Sequence, residues 1–148
     1  MAGPKHVILG AGTAGFNAIT TLLSMDPQAD VTWVAAERPY ARMVLPYYLA
    51  SHITEDNVYT IAPQRLREKG VTVRLGERAE ELDRANKVVR LTSGYRMPYD
   101  DLLIATGSSA TRPPLPGITG ANIYDHWTLN DTEALRRLVG PGKHIAMV

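Results

Sequence analysis

The chain has 148 residues, 45% of them hydrophobic and 21% charged, with a formal net charge of +1 and no cysteine. That length and composition suit a compact domain with a real core and exclude a disordered tail, while the near-neutral charge and scattered basic residues give no basis for nucleic-acid binding. Without cysteine, the chain itself carries no disulfide, thiolate metal site, redox dithiol or thiol nucleophile.

His6-Val7-Ile8-Leu9 predicts a first strand, and it runs directly into Gly10-Ala11-Gly12-Thr13-Ala14-Gly15. Gly10 lets the chain turn sharply out of the strand, Gly12 removes a Cβ that would block a pyrophosphate, and Gly15 lets the following helix approach the strand. Phe16, Ile19, Leu22 and Leu23 recur at helical spacing, which predicts a helix over 13–25 ending near Asp26-Pro27. The unpaired N–H groups of its first turn, with the positive end of its dipole, would face phosphates. Val31-Thr32-Trp33-Val34 predicts the second strand, and Glu37 lies past its end, where such folds set a carboxylate on the adenosine ribose. Strand, glycine loop, helix, strand and carboxylate in that order predict a dinucleotide-binding unit in the first 40 residues.

Residues 38–50 hold two prolines, two arginines and three tyrosines. Two readings stand side by side: a surface loop followed by a short helix packed on the sheet, or a segment lining the flat end of a bound cofactor with Arg42 near its phosphates. Residues 63–69 predict a short helix stopped by Gly70, and 71–75 a strand. Three strand-like runs then follow without a helix between them, at 79–83, 87–92 and 99–105, with a turn at Ser93-Gly94. They predict an antiparallel meander attached to the parallel unit. Residues 102–105 show no polar alternation, which predicts a strand buried on both faces, and the small Thr106 and Gly107 at its end let a ligand approach the backbone.

Arg112-Pro113-Pro114-Leu115-Pro116-Gly117 is proline-dense and predicts a connection, so the expected domains are 1–111, a linker at 112–122 and a further piece at 123–148. That piece shows a capping signal at Thr128 or Asn130, a helix through 133–139 and a stop at Gly140-Pro141-Gly142. Lys143-His144-Ile145-Ala146-Met147-Val148 repeats the pattern of Lys5-His6-Val7-Ile8-Leu9-Gly10, as the first strand of a second Rossmann unit would. The expected fold is thus α/β: a Rossmann-like domain with a parallel sheet and an antiparallel meander, then the start of a second Rossmann unit. No apolar stretch is long enough to span a bilayer and residues 1–5 lack a secretory apolar region, so a cytoplasmic location is expected. His6, His52, His126 and His144 show no ligand spacing, and no metal site is predicted.

The glycine loop with Glu37, the strand ending Leu103-Ile104-Ala105-Thr106-Gly107 and the repeat at 143–148 together resemble the FAD-dependent pyridine nucleotide-disulfide oxidoreductase superfamily. Within it the chain is most similar to the branch of rubredoxin and ferredoxin reductases, NADH oxidases, coenzyme A disulfide reductases and nitrite reductase flavoproteins. The resemblance implies an FAD site with Gly10, Gly12, Thr13, Ala14 and Gly15 at the pyrophosphate, Glu37 on the adenosine ribose and Arg38 beside the adenine. It also implies Arg42 and Pro46 near the pyrophosphate and flavin, the backbone at Ala79 near the adenine, and Ala105, Thr106 and Gly107 lining the cofactor. In the full-length protein it implies NAD(P)H as hydride donor to the flavin, with a redox protein or small molecule as electron acceptor. Met43 stands where coenzyme A disulfide reductases carry a cysteine, two residues before Leu45-Pro46-Tyr47-Tyr48, so thiol chemistry gives way to direct transfer from flavin to acceptor. Because the family completes its FAD domain with a later segment, little NAD(P)H turnover is expected from these 148 residues alone. Two alternatives stay open: a sulfide:quinone reductase-like flavoprotein, and a non-catalytic nucleotide-binding module. No residue is assigned as catalytic; Glu80, Glu81, Asp100 and Asp101 are expected to be solvated turn and strand-edge carboxylates.

Overall fold

A four-stranded parallel sheet organises the computed structural model, which describes residues 3–147. Its strands are β1 (Lys5–Leu9), β2 (Asp30–Ala35), β3 (Thr72–Leu75) and β7 (Asp101–Ile104), in the order β3-β2-β1-β7. Val7 pairs with Thr32 on one side and Leu102 on the other, so β1 is central. A central strand of a covered sheet needs apolar residues on both faces, and β1 supplies them alternately. Val7 and Leu9 pack with Val34, Val89, Leu91 and Met97, whereas Ile8 packs with Ile19, Val31, Trp33, Leu66 and Val71.

Helices cover the Ile8 face of the sheet. α1 (Thr13–Met25) lays its apolar stripe, Phe16, Ile19, Leu22 and Leu23, on one face of the sheet, joined by Leu66 of α3 (Pro63–Arg67). α1 ends where Asp26 accepts from the Gln28 N–H at 2.9 Å and Pro27 cannot continue the ladder. The Val7 and Leu9 face is covered by a three-stranded antiparallel sheet, β4 (Ala79–Asp83), β5 (Val88–Leu91) and β6 (Arg96–Pro98). Its hairpin turns at Ser93-Gly94, where the Gly94 N–H meets the Leu91 carbonyl at 2.8 Å.

Four expectations are corrected. The third strand of the meander is β6, and the run at 99–105 instead supplies β7 of the parallel sheet. β7 is not buried on both faces: among the described residues it pairs only with β1, and although Leu102 packs toward the meander, Leu103 is 40% and Ile104 58% exposed. Residues 143–147 form no strand: among the described residues no strand pairs with them, and the Lys143 N–H instead closes a turn on the Gly140 carbonyl at 3.2 Å, while Val148 lies outside the described residues. The expected end helix is shifted toward its cap, spanning α4 (Leu129–Arg136).

By compactness, residues 1–41 and 59–107 make one unit, and residues 42–58 and 108–148 a second. The expected connection at 112–122 follows chain order, whereas the second unit also takes in residues 42–58. Within it, a 3₁₀ turn at Arg42–Val44 leads into α2 (Leu45–Leu49), with Pro46 in the first helical turn, where its missing N–H costs nothing. Among the described residues, no helix is long and apolar enough to cross a membrane.

Candidate dinucleotide site

The carboxyl ends of β2, β1 and β7 converge on the glycine loop. The Gly10 N–H donates to the Val34 carbonyl at 2.8 Å, and the Ala105 N–H donates to the Leu9 carbonyl at 2.8 Å. A Cβ on Gly10 would lie 2.2 Å from the Ala105 carbonyl oxygen, and its φ of +113° is closed to most side chains. Gly10 is therefore required by a backbone crossing, between the loop and the end of β7. Gly15 is required by another: its Cβ would stand 2.3 Å from the Gly10 carbonyl oxygen. Gly12 is different, because a Cβ there would meet nothing within 4 Å.

The start of α1 suits an anion. Gly12 is the N-cap, no side chain caps the helix, and its first turn carries no acidic residue. The first N–H groups of a helix have no partners within it, and here no side chain supplies one. Gly12, Thr13 and Ala14 are exposed, so those groups and the positive dipole end face outward. Thr106 and Gly107 are exposed beside the loop, Ala105 half-buried, and Gly107 has a φ of +71°.

Glu37 and Arg38 follow β2 at this same end of the sheet. The Ala35 carbonyl accepts the Glu77 N–H at 3.2 Å, which brings the segment leading to Ala79 and β4 alongside. The structure thus gathers Gly10 to Gly15, Ala105 to Gly107, Glu37 and Arg38 at one edge of the first unit. Arg42 and Pro46 belong to the second unit, where the Arg42 guanidinium donates to the Trp127 carbonyl at 2.7 Å. Met43 is 80% exposed.

Two residues that sequence reasoning passed over act on this edge. Trp33 is fully buried on β2, and its indole N–H donates to the Gly10 carbonyl at 2.8 Å, fixing the first glycine of the loop. A lone tryptophan in the strand beside a glycine loop is the signal that could have marked it, since a buried indole N–H needs an acceptor. Tyr59 is the other, with the Arg38 guanidinium 3.8 Å above its ring centroid; its distance in sequence hides that pairing.

The carboxylates expected to be solvated serve the scaffold. Arg90 pairs with both Glu80 and Glu81, Asp100 accepts the Lys5 N–H at 2.7 Å, and Asp101 lies 3.2 Å from His6. A cavity of about 740 Å³ opens at the far end of α1, lined by Leu23, Ser24, Pro27, Asp30, Leu66 and Lys69. It contains none of the residues named above at the loop.

Comparison with known proteins agrees with this geometry. The family model described as pyridine nucleotide-disulphide oxidoreductase matches residues 4–148. A probable ferredoxin reductase, CtmF, of Castellaniella defragrans is 35% identical over 150 residues, covering 99% of this chain and 37% of that protein. Among solved structures, the covalent putidaredoxin reductase–putidaredoxin complex aligns with a TM-score of 0.80 at 27% identity, over 93% of this chain and 34% of its own. NADH:rubredoxin oxidoreductase from Clostridium acetobutylicum aligns with a TM-score of 0.77 at 28% identity, over 90% of this chain and 35% of its own. The chain therefore spans just over a third of the length of these proteins. With its glycine loop, mixed sheets and a family match along nearly its whole length, the chain belongs to the pyridine nucleotide-disulphide oxidoreductase family.

Proposed function

We propose that this chain forms an FAD site of an NAD(P)H-dependent flavoprotein reductase that delivers electrons to a redox protein or small acceptor. One observation carries the reading: Gly12 faces open space before an uncapped helix N-terminus, while Gly10 and Gly15 are fixed by backbone crossings. A purely structural glycine turn accounts for the second pair and leaves the first unexplained.

In this reading the first N–H groups of α1, after Gly12 and at Thr13, Ala14 and Gly15, hold the pyrophosphate, and the absence of an acidic residue there avoids repulsion. Glu37 accepts from the adenosine ribose hydroxyls, Arg38 lies beside the adenine, and the backbone at Ala79 borders it. Ala105, Thr106 and Gly107 line the cofactor where exposed, small side chains leave the backbone accessible. Arg42 and Pro46 approach the pyrophosphate and flavin. When bound, the flavin supplies the exchange between hydride and single electrons, and the protein orients and tunes it.

A protein acceptor is supported by the named partners of the similar proteins, ferredoxin, rubredoxin and putidaredoxin. Transfer without a catalytic cysteine is supported by Met43 and by the absence of any thiol in the chain. The test is the visible spectrum of the purified chain, with FAD released by denaturation and counted. One FAD per chain is expected. A folded, colourless chain that takes up no added FAD would remove the reading that these residues form an FAD site.

A further inference from the structure

Arginines stacked on aromatic rings recur in this protein, and most of them also donate inside it. Arg74 lies 4.4 Å from the Tyr95 ring and forms a two-pronged pair with Glu77 at 2.9 and 3.2 Å. Arg136 lies 4.2 Å from the Tyr48 ring and donates to the Tyr48 carbonyl. Arg42 lies 5.4 Å from the Trp127 ring and donates to the Trp127 carbonyl. Each guanidinium is spent on holding its own unit together.

Arg38 is not. Its guanidinium carbon sits 3.8 Å from the Tyr59 ring centroid, and among the described residues it makes no hydrogen bond or ion pair. That distance is van der Waals contact between the guanidinium and the ring face, so the phenol supports the cation from one side. Tyr59 is half-buried, whereas Arg38 is exposed. The side of the guanidinium toward Tyr59 is covered, and the residue is otherwise open to solvent.

The placement gives this shelf an occupant. Arg38 follows Glu37 past the end of β2, whose Val34 carbonyl holds the first glycine of the loop. A flat guanidinium stacks on planar π systems, and a long side chain already supported from one side loses less freedom when a ligand arrives. Resting on the FAD reading above, we propose that Tyr59 is a positioning residue for the adenosine end of the dinucleotide, holding Arg38 as a shelf on which the purine ring stacks. A tyrosine that served only packing would have no reason to leave its arginine uncommitted.

The test is titration of the full 148-residue chain with FAD and, separately, with FMN, which lacks the adenosine. The variants are Tyr59→Phe, Tyr59→Leu, Arg38→Ala and the Tyr59→Leu/Arg38→Ala double, each also melted without ligand. Tyr59→Phe keeps the ring and is expected to bind FAD like the wild type. Tyr59→Leu and Arg38→Ala are each expected to weaken FAD about two- to five-fold, the double no more than either single, with FMN unmoved throughout. If Tyr59→Leu melts early, exposed Arg38→Ala still carries the comparison. Unchanged FAD affinity in either single variant, additive losses, or an equal loss for FMN would overturn the shelf alone. A wild-type chain that takes up neither flavin overturns the parent reading and the shelf together.

Discussion

A single methyl group separates the three loop glycines. On Gly10 or Gly15 it meets a backbone carbonyl oxygen at 2.2 or 2.3 Å, and backbone cannot step aside as a side chain can. Gly10→Ala and Gly15→Ala are expected to cost about 1–3 kcal/mol in urea unfolding. Gly12→Val should cost no more than about 1 kcal/mol, the loss of a better N-cap residue, because a Cβ there meets nothing within 4 Å, yet abolish FAD uptake by filling the phosphate position. If Gly12→Val still binds FAD normally, that position is not where the phosphates lie. Tyr48 provides a second residue-scale test. Its hydroxyl donates to Glu133, and that bond, followed by burial, pushes its pKa up to about 12 from 10.0. A folded-state pKa above the unfolded one means that the contribution is complete below pH 10 and lost as pH rises toward 12. Ultraviolet titration should show one of the seven tyrosines ionising late, a step absent in Tyr48→Phe and moved toward the ordinary range in Glu133→Gln. Seven phenols titrating together near 10 would contradict the bond.

At the scale of elements, legibility in the sequence followed periodicity and capping. α1 is found at the expected residues because its apolar stripe and the Asp26-Pro27 stop agree. β4 also falls where its run predicts. β6 was hidden because Arg96–Pro98 is three residues long and ends in a proline, which is tolerated only at an edge. The apolar run of β7 misled because a sequence run states what could be buried, whereas its place at the end of the sheet decides what is. Residues 143–147 show the same limit, since a strand exists only through a partner's hydrogen bonds. Of the candidate site, the glycines were legible from spacing, but Trp33 and Tyr59 act through contacts 23 and 21 positions from Gly10 and Arg38. α4 carries the element-scale prediction. Thr128 accepts from the Asp131 N–H at 3.1 Å, while Asp131 accepts from the Thr128 N–H at 2.7 Å. Burial alone would raise the Asp131 pKa, but the hydrogen bonds from Thr128, with that from the Trp127 N–H, outweigh it and hold it below the usual 3.8. A depressed carboxylate stabilises the fold above its unfolded pKa and loses that stabilisation as pH falls through the folded value. Thr128→Ala and Asp131→Asn should each cost about 1 kcal/mol at pH 7, and the Asp131→Asn deficit should shrink below pH 4. A deficit that persists at pH 2 would show that charge is not what the capping pair contributes.

For the whole molecule, the decisive feature is that each compact unit contains one of the two tryptophans. Trp33 lies in the unit with the glycine loop and Trp127 in the unit with Arg42 and Pro46. Ligand that binds only the native state stabilises whatever unfolds with its site, by about 2.7 kcal/mol at a free concentration one hundred times Kd. Labelling with 5-fluorotryptophan gives each unit its own ¹⁹F signal, so urea unfolding can be followed at both places in one sample. FAD should move the Trp33 transition to higher urea by that increment, because the loop, Glu37, Arg38 and Ala105 to Gly107 all belong to its unit. If Arg42 and Pro46 also hold the cofactor, the Trp127 transition should move with it, and Arg42→Ala should reduce the shift at Trp127. A shift at Trp33 alone would restrict the site to the first unit and remove Arg42 and Pro46 from it. No shift at Trp33 in saturating FAD would remove the glycine loop as the flavin site, however well its backbone geometry suits a phosphate.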